Sequence, residues 1–219
     1  MNKGEVQARI EEIGIIPAVR VSSPEDARFV AAAVNRGGIP IVEITITVPG
    51  AVEVIAGLTR STEMIVGAGT ILDVEMARQC LDAGAHFLTS PGLVIEVVEF
   101  AVSRGIAALP GALTPTEVIA AWKAGADMVK VYPCALVGGE NYIRALKAPF
   151  PQVPLIASGG VNQETALNLL LAGAAALGVG GELIPKSAVR QHEELRILEL
   201  ARRFKKAVKE ARKRMSQQQ

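Results

Sequence analysis

Eight times along the chain a short apolar run is followed by a small-residue or proline turn and then a segment of helical period. The runs are Ile15–Arg20, Pro40–Ile46, Met64–Gly67, His86–Ser90, Ile106–Leu109, Asp127–Tyr132, Leu155–Ser158 and Ala175–Val179. They recur at roughly 20–26 residues, the length of one β/α unit, because parallel strands need a crossover of about a dozen residues or more. Cap residues with early acids open the helices at Ser23-Pro24-Glu25, Thr114-Pro115-Thr116-Glu117 and Asn162-Gln163-Glu164. Gly37, Gly84, Gly105, Gly125 and Gly173 each stand just before a strand, where a left-handed helix cap is expected. Eight units without a long linker close most naturally into an α/β fold of the (β/α)8 TIM-barrel type, with an open doubly wound sheet as the alternative. A short N-terminal helix over Lys3–Ile13, within residues 1–14, precedes the barrel, and the whole of 1–219 reads as one domain.

Composition narrows the function classes. Half the residues are hydrophobic but only 4% are aromatic, so Ala, Val, Ile and Leu must build the core, as in layered parallel sheets. With 23 basic and 22 acidic residues the chain has no global field to draw in nucleic acid or an anionic membrane, so a small-molecule partner is expected. The basic run from Arg202 to Arg214 reads as a solvated face of a helix over Glu193–Arg214, and the tail at 215–219 is expected to fray. Two cysteines without a C-x-x-C pair imply reduced thiols in a cytoplasmic protein, and the polar start is unlike a secretory signal. Two histidines, His86 and His192, are too few for a histidine-cluster metal site, so no metal is expected.

Active sites of β/α barrels lie at the C-terminal ends of the strands. That rule selects Arg20, Glu43, Thr45, Thr47, Thr70, Ser90, Lys130 and the glycines after the last two strands. Lys130, in Asp-Met-Val-Lys-Val-Tyr-Pro, lies on the strand face opposite Val129 and Val131. A lysine desolvated in an apolar barrel is a candidate nucleophile toward a carbonyl; the plainer alternatives are a rim lysine or a structural ion pair. Glu43, flanked by β-branched residues, is costly unless it has a partner or a task, and general acid–base work is such a task. Arg20 offers either a two-pronged clamp for a carboxylate or a rim salt bridge. The pairs Gly159-Gly160 and Gly180-Gly181 fall where barrels commonly bind phosphate through backbone N–H groups, although tight turns alone also favour glycine.

Together these segments resemble the class I 2-keto-3-deoxy-6-phosphogluconate (KDPG) and 4-hydroxy-2-oxoglutarate (KHG) aldolase family. The resemblance is carried, from about Ile15 to Pro185, by Val-Glu-Ile-Thr at 42–45, Gly-Ala-Gly-Thr at 67–70, Ser-Pro-Gly at 90–92, Leu-Pro-Gly at 109–111, Val-Lys-Val-Tyr-Pro at 129–133 and Ser-Gly-Gly-Val at 158–161. It implies a Schiff base on Lys130, proton relay by Glu43, and a pyruvyl seat made by Thr70 with Ser90 and Pro91. It also implies a homotrimer and no metal or organic cofactor. Some relatives carry arginine where this chain has Thr47, which makes Arg20 the carboxylate clamp here. Many place serine after the Gly180-Gly181 pair; this chain has Glu182. Three other readings stay open: an aldolase for an unphosphorylated or epimeric 2-keto-3-deoxy acid, a phosphate-binding isomerase or epimerase, and an idle trimeric scaffold.

Overall fold

A computed structural model describes residues 1–217 of the chain. Its strands are β1 (Ile15–Val19), β2 (Ile41–Thr45), β3 (Ile65–Gly69), β4 (Phe87–Thr89), β5 (Ala107–Leu109), β6 (Gly111–Ala112), β7 (Val129–Val131), β8 (Leu155–Ser158) and β9 (Ala174–Val179). The helices are α1 (Lys3–Ile13), α2 (Pro24–Arg36), α3 (Ala51–Ser61), α4 (Val74–Asp82), α5 (Ile95–Ser103), α6 (Pro115–Lys123), α7 (Glu140–Lys147), α8 (Ala166–Leu171), α9 (Lys186–Arg190) and α10 (Glu194–Ser216).

All strand pairings are parallel, and the order is β5-β4-β3-β2-β1-β9-β8-β7-β6. The two ends of that order, β5 and β6, are consecutive in the chain, separated by Pro110 alone. The sheet therefore returns on itself as a TIM-like barrel, and the open-sheet alternative is excluded. The expected fifth strand, Ile106–Leu109, is in fact two pieces. Proline has no N–H to give a ladder, so pairing to β4 stops before Pro110 while its carbonyl accepts the Lys130 N–H at 2.8 Å. That bond helps to close the ring.

Local chemistry explains most element ends. Ser23 and Thr114 accept hydrogen bonds from the N–H groups of Asp26 and Glu117, and proline opens each helix. Asn162 caps an earlier turn instead, accepting from the N–H groups of Glu164 and Thr165, so α8 begins at Ala166 rather than at 162. Gly37 is not left-handed, contrary to the expectation; Gly38 takes the positive φ of 85°. Gly37 is needed for another reason, since a Cβ there would collide with that of Ala201 on α10. The last helix buries Ile197, Ala201, Phe204, Val208 and Ala211, one face at alternating spacings of four and three. It continues through Ser216, past the expected start of the tail at 215, and residues 218–219 lie outside the described part.

Candidate active site

Lys130 and Glu43 stand on strands that are not neighbours. From β2 to β7 there are four steps around the ring through β1, β9 and β8, and equally many through β3, β4 and the β5–β6 strand. Only side chains pointing into the lumen can meet from such opposite walls. Lys130 Nζ lies 3.4 Å from Glu43 Oε2, with the two residues 8% and 4% exposed. Removing either partner of a buried pair leaves an unpaired charge, at a cost of about 3–5 kcal/mol, whereas replacing both with apolar groups is often neutral. The fold alone therefore has little need of the pair.

Small residues make room for it. A Cβ on Gly69 would collide with the Glu43 carboxylate, so the carboxylate occupies space that β3 leaves open. Tyr132, on the same strand face as Lys130, places its ring centroid 5.9 Å from Nζ, a distance at which the ring face attracts a cation. Ser158 lies at the end of β8 and is also buried.

Arg20 follows β1 and reaches across the ends of the next two strands, donating to Thr47 Oγ1 at 3.4 Å and Thr70 Oγ1 at 3.3 Å. Both bonds are long for N–H···O. Among the described residues no carboxylate forms an ion pair with Arg20, so the rim-salt-bridge alternative finds no support. Thr47 is held in turn by Thr45, 2.9 Å away, whose hydroxyl also donates to the Val19 carbonyl. Thr70 has φ of 64°, which is rare for a β-branched residue and concentrates at functional sites.

A cavity of about 380 Å³ brings together Arg20, Glu43 and Lys130 with Gly159, Gly160, Gly180 and Gly181. Thr47 and Thr70 connect to it through Arg20, whereas Pro91 is exposed outside its lining. Pro91 instead packs its backbone on Gly111, beside the Ser90 hydroxyl, which donates to the Gly92 carbonyl at 2.6 Å. Gly159 and Gly160 have φ of 85° and 78°, and a Cβ on Gly160 would collide with Ala135; bare backbone is required there. Glu182 and Lys186 both line the same cavity and are both exposed. Tyr132, Ser158 and Lys186 were not singled out from the sequence. Tyr132 and Ser158 stand within quoted motifs, and Lys186 follows the last glycine turn, so extending the strand-end rule by one helical turn selects it.

Neither histidine joins this site. His86 Nδ1 accepts the Val66 N–H at 3.1 Å, and His192 sits 3.4 Å from Asp26 against the Phe29 ring. Among the described residues no three His, Cys, Asp or Glu side chains cluster as a metal site would require. Burial pushes the Cys80 thiol up to about 11; burial, then the nearby Glu140 carboxylate, does the same to Cys134.

The barrel and its mouth define a class, a β/α barrel with a buried lysine–glutamate pair at the C-terminal ends of its strands. The sequence profile of the KDPG and KHG aldolase family matches residues 6–200. The chain belongs to that family. It is 32% identical over 190 residues to the KHG/KDPG aldolase of Escherichia coli K12, covering 86% of this chain and 89% of the relative. To the 2-dehydro-3-deoxy-phosphogluconate aldolase of Treponema pallidum it is 36% identical over 154 residues, 70% and 73% of the two chains. A KDPG aldolase crystal structure from Legionella pneumophila, with pyruvate captured as a covalent carbinolamine, superposes with a TM-score of 0.83 at 29% identity, covering 90% of this chain and 96% of that one.

Proposed function

We propose that this aldolase cleaves 2-keto-3-deoxy-6-phosphogluconate to pyruvate and glyceraldehyde 3-phosphate through a Schiff base on Lys130, with 4-hydroxy-2-oxoglutarate as a second substrate giving pyruvate and glyoxylate. The observation that carries the reading is the Lys130–Glu43 pair, two buried ionisable groups meeting inside the barrel mouth at 3.4 Å. The carbinolamine captured in the Legionella pneumophila relative supports it.

Glu43 is placed to take the proton that Lys130 must lose before its lone pair attacks the C2 ketone. The resulting carbinolamine loses water to form an iminium. Removal of the C4 hydroxyl proton lets the C3–C4 bond break, its electrons flowing into the iminium while the aldehyde departs. The enamine is protonated at C3 by way of Glu43, and hydrolysis releases pyruvate and the free amine. Arg20, braced by Thr47 and Thr70, faces the substrate carboxylate, while the four glycines offer backbone N–H groups to its phosphate. Glu182 opposes a phosphate by about 1–4 kcal/mol for a charge pair near 4 Å, and Lys186 on the same cavity offsets it.

The protein is assigned to the cytoplasm, on its two cysteine thiols, and to a homotrimer of single-domain subunits, on its family membership. No helix among the described residues is long and apolar enough to cross a membrane. Treatment with pyruvate and borohydride should add a reduced pyruvyl group to the peptide holding Lys130 and abolish activity. Folded protein that binds pyruvate but yields no adduct would refute the Schiff-base assignment.

A further inference from the structure

The strongest concentration of charge outside the mouth lies at the other end of the barrel. A groove of about 820 Å³ runs between α1, the Gly37-Gly38-Ile39-Pro40 turn and α10, lined by seven basic side chains and one carboxylate, Glu12. That imbalance sits in a chain whose net charge is only +1.

Three of the seven cations are already engaged. Arg9 pairs with Glu12, Arg36 pairs with Glu194 at 2.7 Å, and Arg212 donates to the carbonyls of Glu11 and Glu12 at the end of α1. The other four, Arg202, Lys205, Lys206 and Lys209, form no ion pair with any described residue. Elsewhere on α10 the pattern is opposite, since Arg196, Arg203 and Arg214 each pair with a glutamate three or four residues before them. On the groove face Arg202 is followed one turn later by Lys206, and Lys205 by Lys209, an arrangement of like charges that destabilises a helix. The stabilising effect of cations at a helix C-terminus is confined to the last turn, and these four lie in mid-helix. Lys205 is moreover held over the turn, where a Cβ on Gly38 would collide with its ammonium group.

We infer that this groove binds a short chain of linked phosphates, as carried by a nucleoside triphosphate or by inorganic tripolyphosphate. From 202 to 209 the helix rises about 10 Å, too far for one phosphate to meet cations at both ends. Linked phosphates span that distance and relieve the repulsion at several points. Ile13 and Pro40, both partly exposed, supply a small apolar patch beside the cations. No aromatic side chain lines the groove, which argues against single-stranded nucleic acid, whose bases are generally held by stacking. The inference is independent of the substrate assignment, because the groove and Lys130 lie at opposite ends of the barrel.

Calorimetry with the full chain at about 0.1 M ionic strength, where exposed charges are screened beyond roughly 10 Å, tests it with orthophosphate, AMP, ATP, tripolyphosphate and an RNA oligomer as ligands. Tripolyphosphate and ATP should bind at least about tenfold tighter than orthophosphate and AMP, as expected when several phosphates are neutralised together. ATP tighter than tripolyphosphate places its base on the apolar patch; equal affinity places recognition in the phosphates, and either upholds the site. The exposed triple change K205Q/K206Q/K209Q should lose that affinity at least about tenfold, and K209Q alone in part, with aldol cleavage unchanged in both. The equally charged control R203Q/K213Q/R214Q should keep it within about twofold. Tripolyphosphate binding no tighter than orthophosphate, equal losses in the two triple variants, or RNA binding tighter than ATP would each overturn the proposal.

Discussion

The two walls of the barrel mouth grip in different ways. Around the ends of β1, β2 and β3 the surface is made of side chains, with Arg20 braced by Thr47 and Thr70, and Thr45 tying Thr47 to the Val19 carbonyl. After β8 it is backbone, because Gly159 and Gly160 take the left-handed region and a Cβ on either would collide; after β9, Gly180 and Gly181 add further bare backbone beside Glu182 and Lys186. Lys130 on β7 reaches Glu43 on β2 across the lumen. A side-chain wall is suited to fixing the orientation of a small planar keto acid, and a backbone wall to an anion that needs many donors and little shape. Change at the first wall should therefore show in chemistry, and change at the second in binding or folding.

The sharpest way to break that contrast is Lys130→Ala, which should lower kcat/KM by at least about 10⁴-fold and abolish borohydride trapping, with the barrel's circular dichroism retained. Glu43→Gln should cost about 10²–10⁴-fold in kcat while still giving a trapped adduct with pyruvate. Full activity in that variant would remove Glu43 from the proton relay. On the backbone wall, Gly160→Ala should cost about 1–3 kcal/mol in thermal unfolding, because it forces an L side chain into the left-handed region against Ala135. Its KM for the phosphorylated substrate should rise more than that for 4-hydroxy-2-oxoglutarate. Glu182→Ser should lower KM for the phosphorylated acid about threefold to tenfold and leave the unphosphorylated one nearly unchanged. If both improve alike, phosphate does not sit against that residue.

The smallest effect lies outside both walls. Glu117 accepts from the N–H groups of Leu113 and Thr114 at the start of α6, and these hydrogen bonds hold its carboxyl below the ordinary 4.5. Because the folded value is the lower one, its contribution to stability is full above about 4.5 and fades as pH falls through the depressed value. Glu117→Gln should shift the acid limb of an unfolding curve by no more than a few tenths of a kcal/mol, the group being only partly buried.

Much of this was legible in the chain. Periodicity and caps place each β/α unit within a few residues, since apolar alternation and turn chemistry are local. Lys130 and Glu43 stand out because a charge among β-branched residues is locally anomalous. Two elements were less readable. The fifth strand divides at Pro110 because a missing N–H matters only once neighbours compete for it. Gly37 looks like an ordinary helix cap, yet its need for no side chain comes from Ala201, far along the chain. Lys186 lies past the strand end proper, and the turn that starts α9 brings it to the cavity.

By itself the sequence determined the kind of units, their number and the identity of the two ionisable groups at the mouth, all of which follow from neighbours within a few positions. Only the tertiary structure decided that those two groups touch. Residues 87 positions apart, on opposite walls of a ring, meet because closure between β5 and β6 turns every inward side chain toward one shared lumen. Packing of α10 beside α1 and the Gly37–Pro40 turn likewise decides that the basic face of that helix borders a groove.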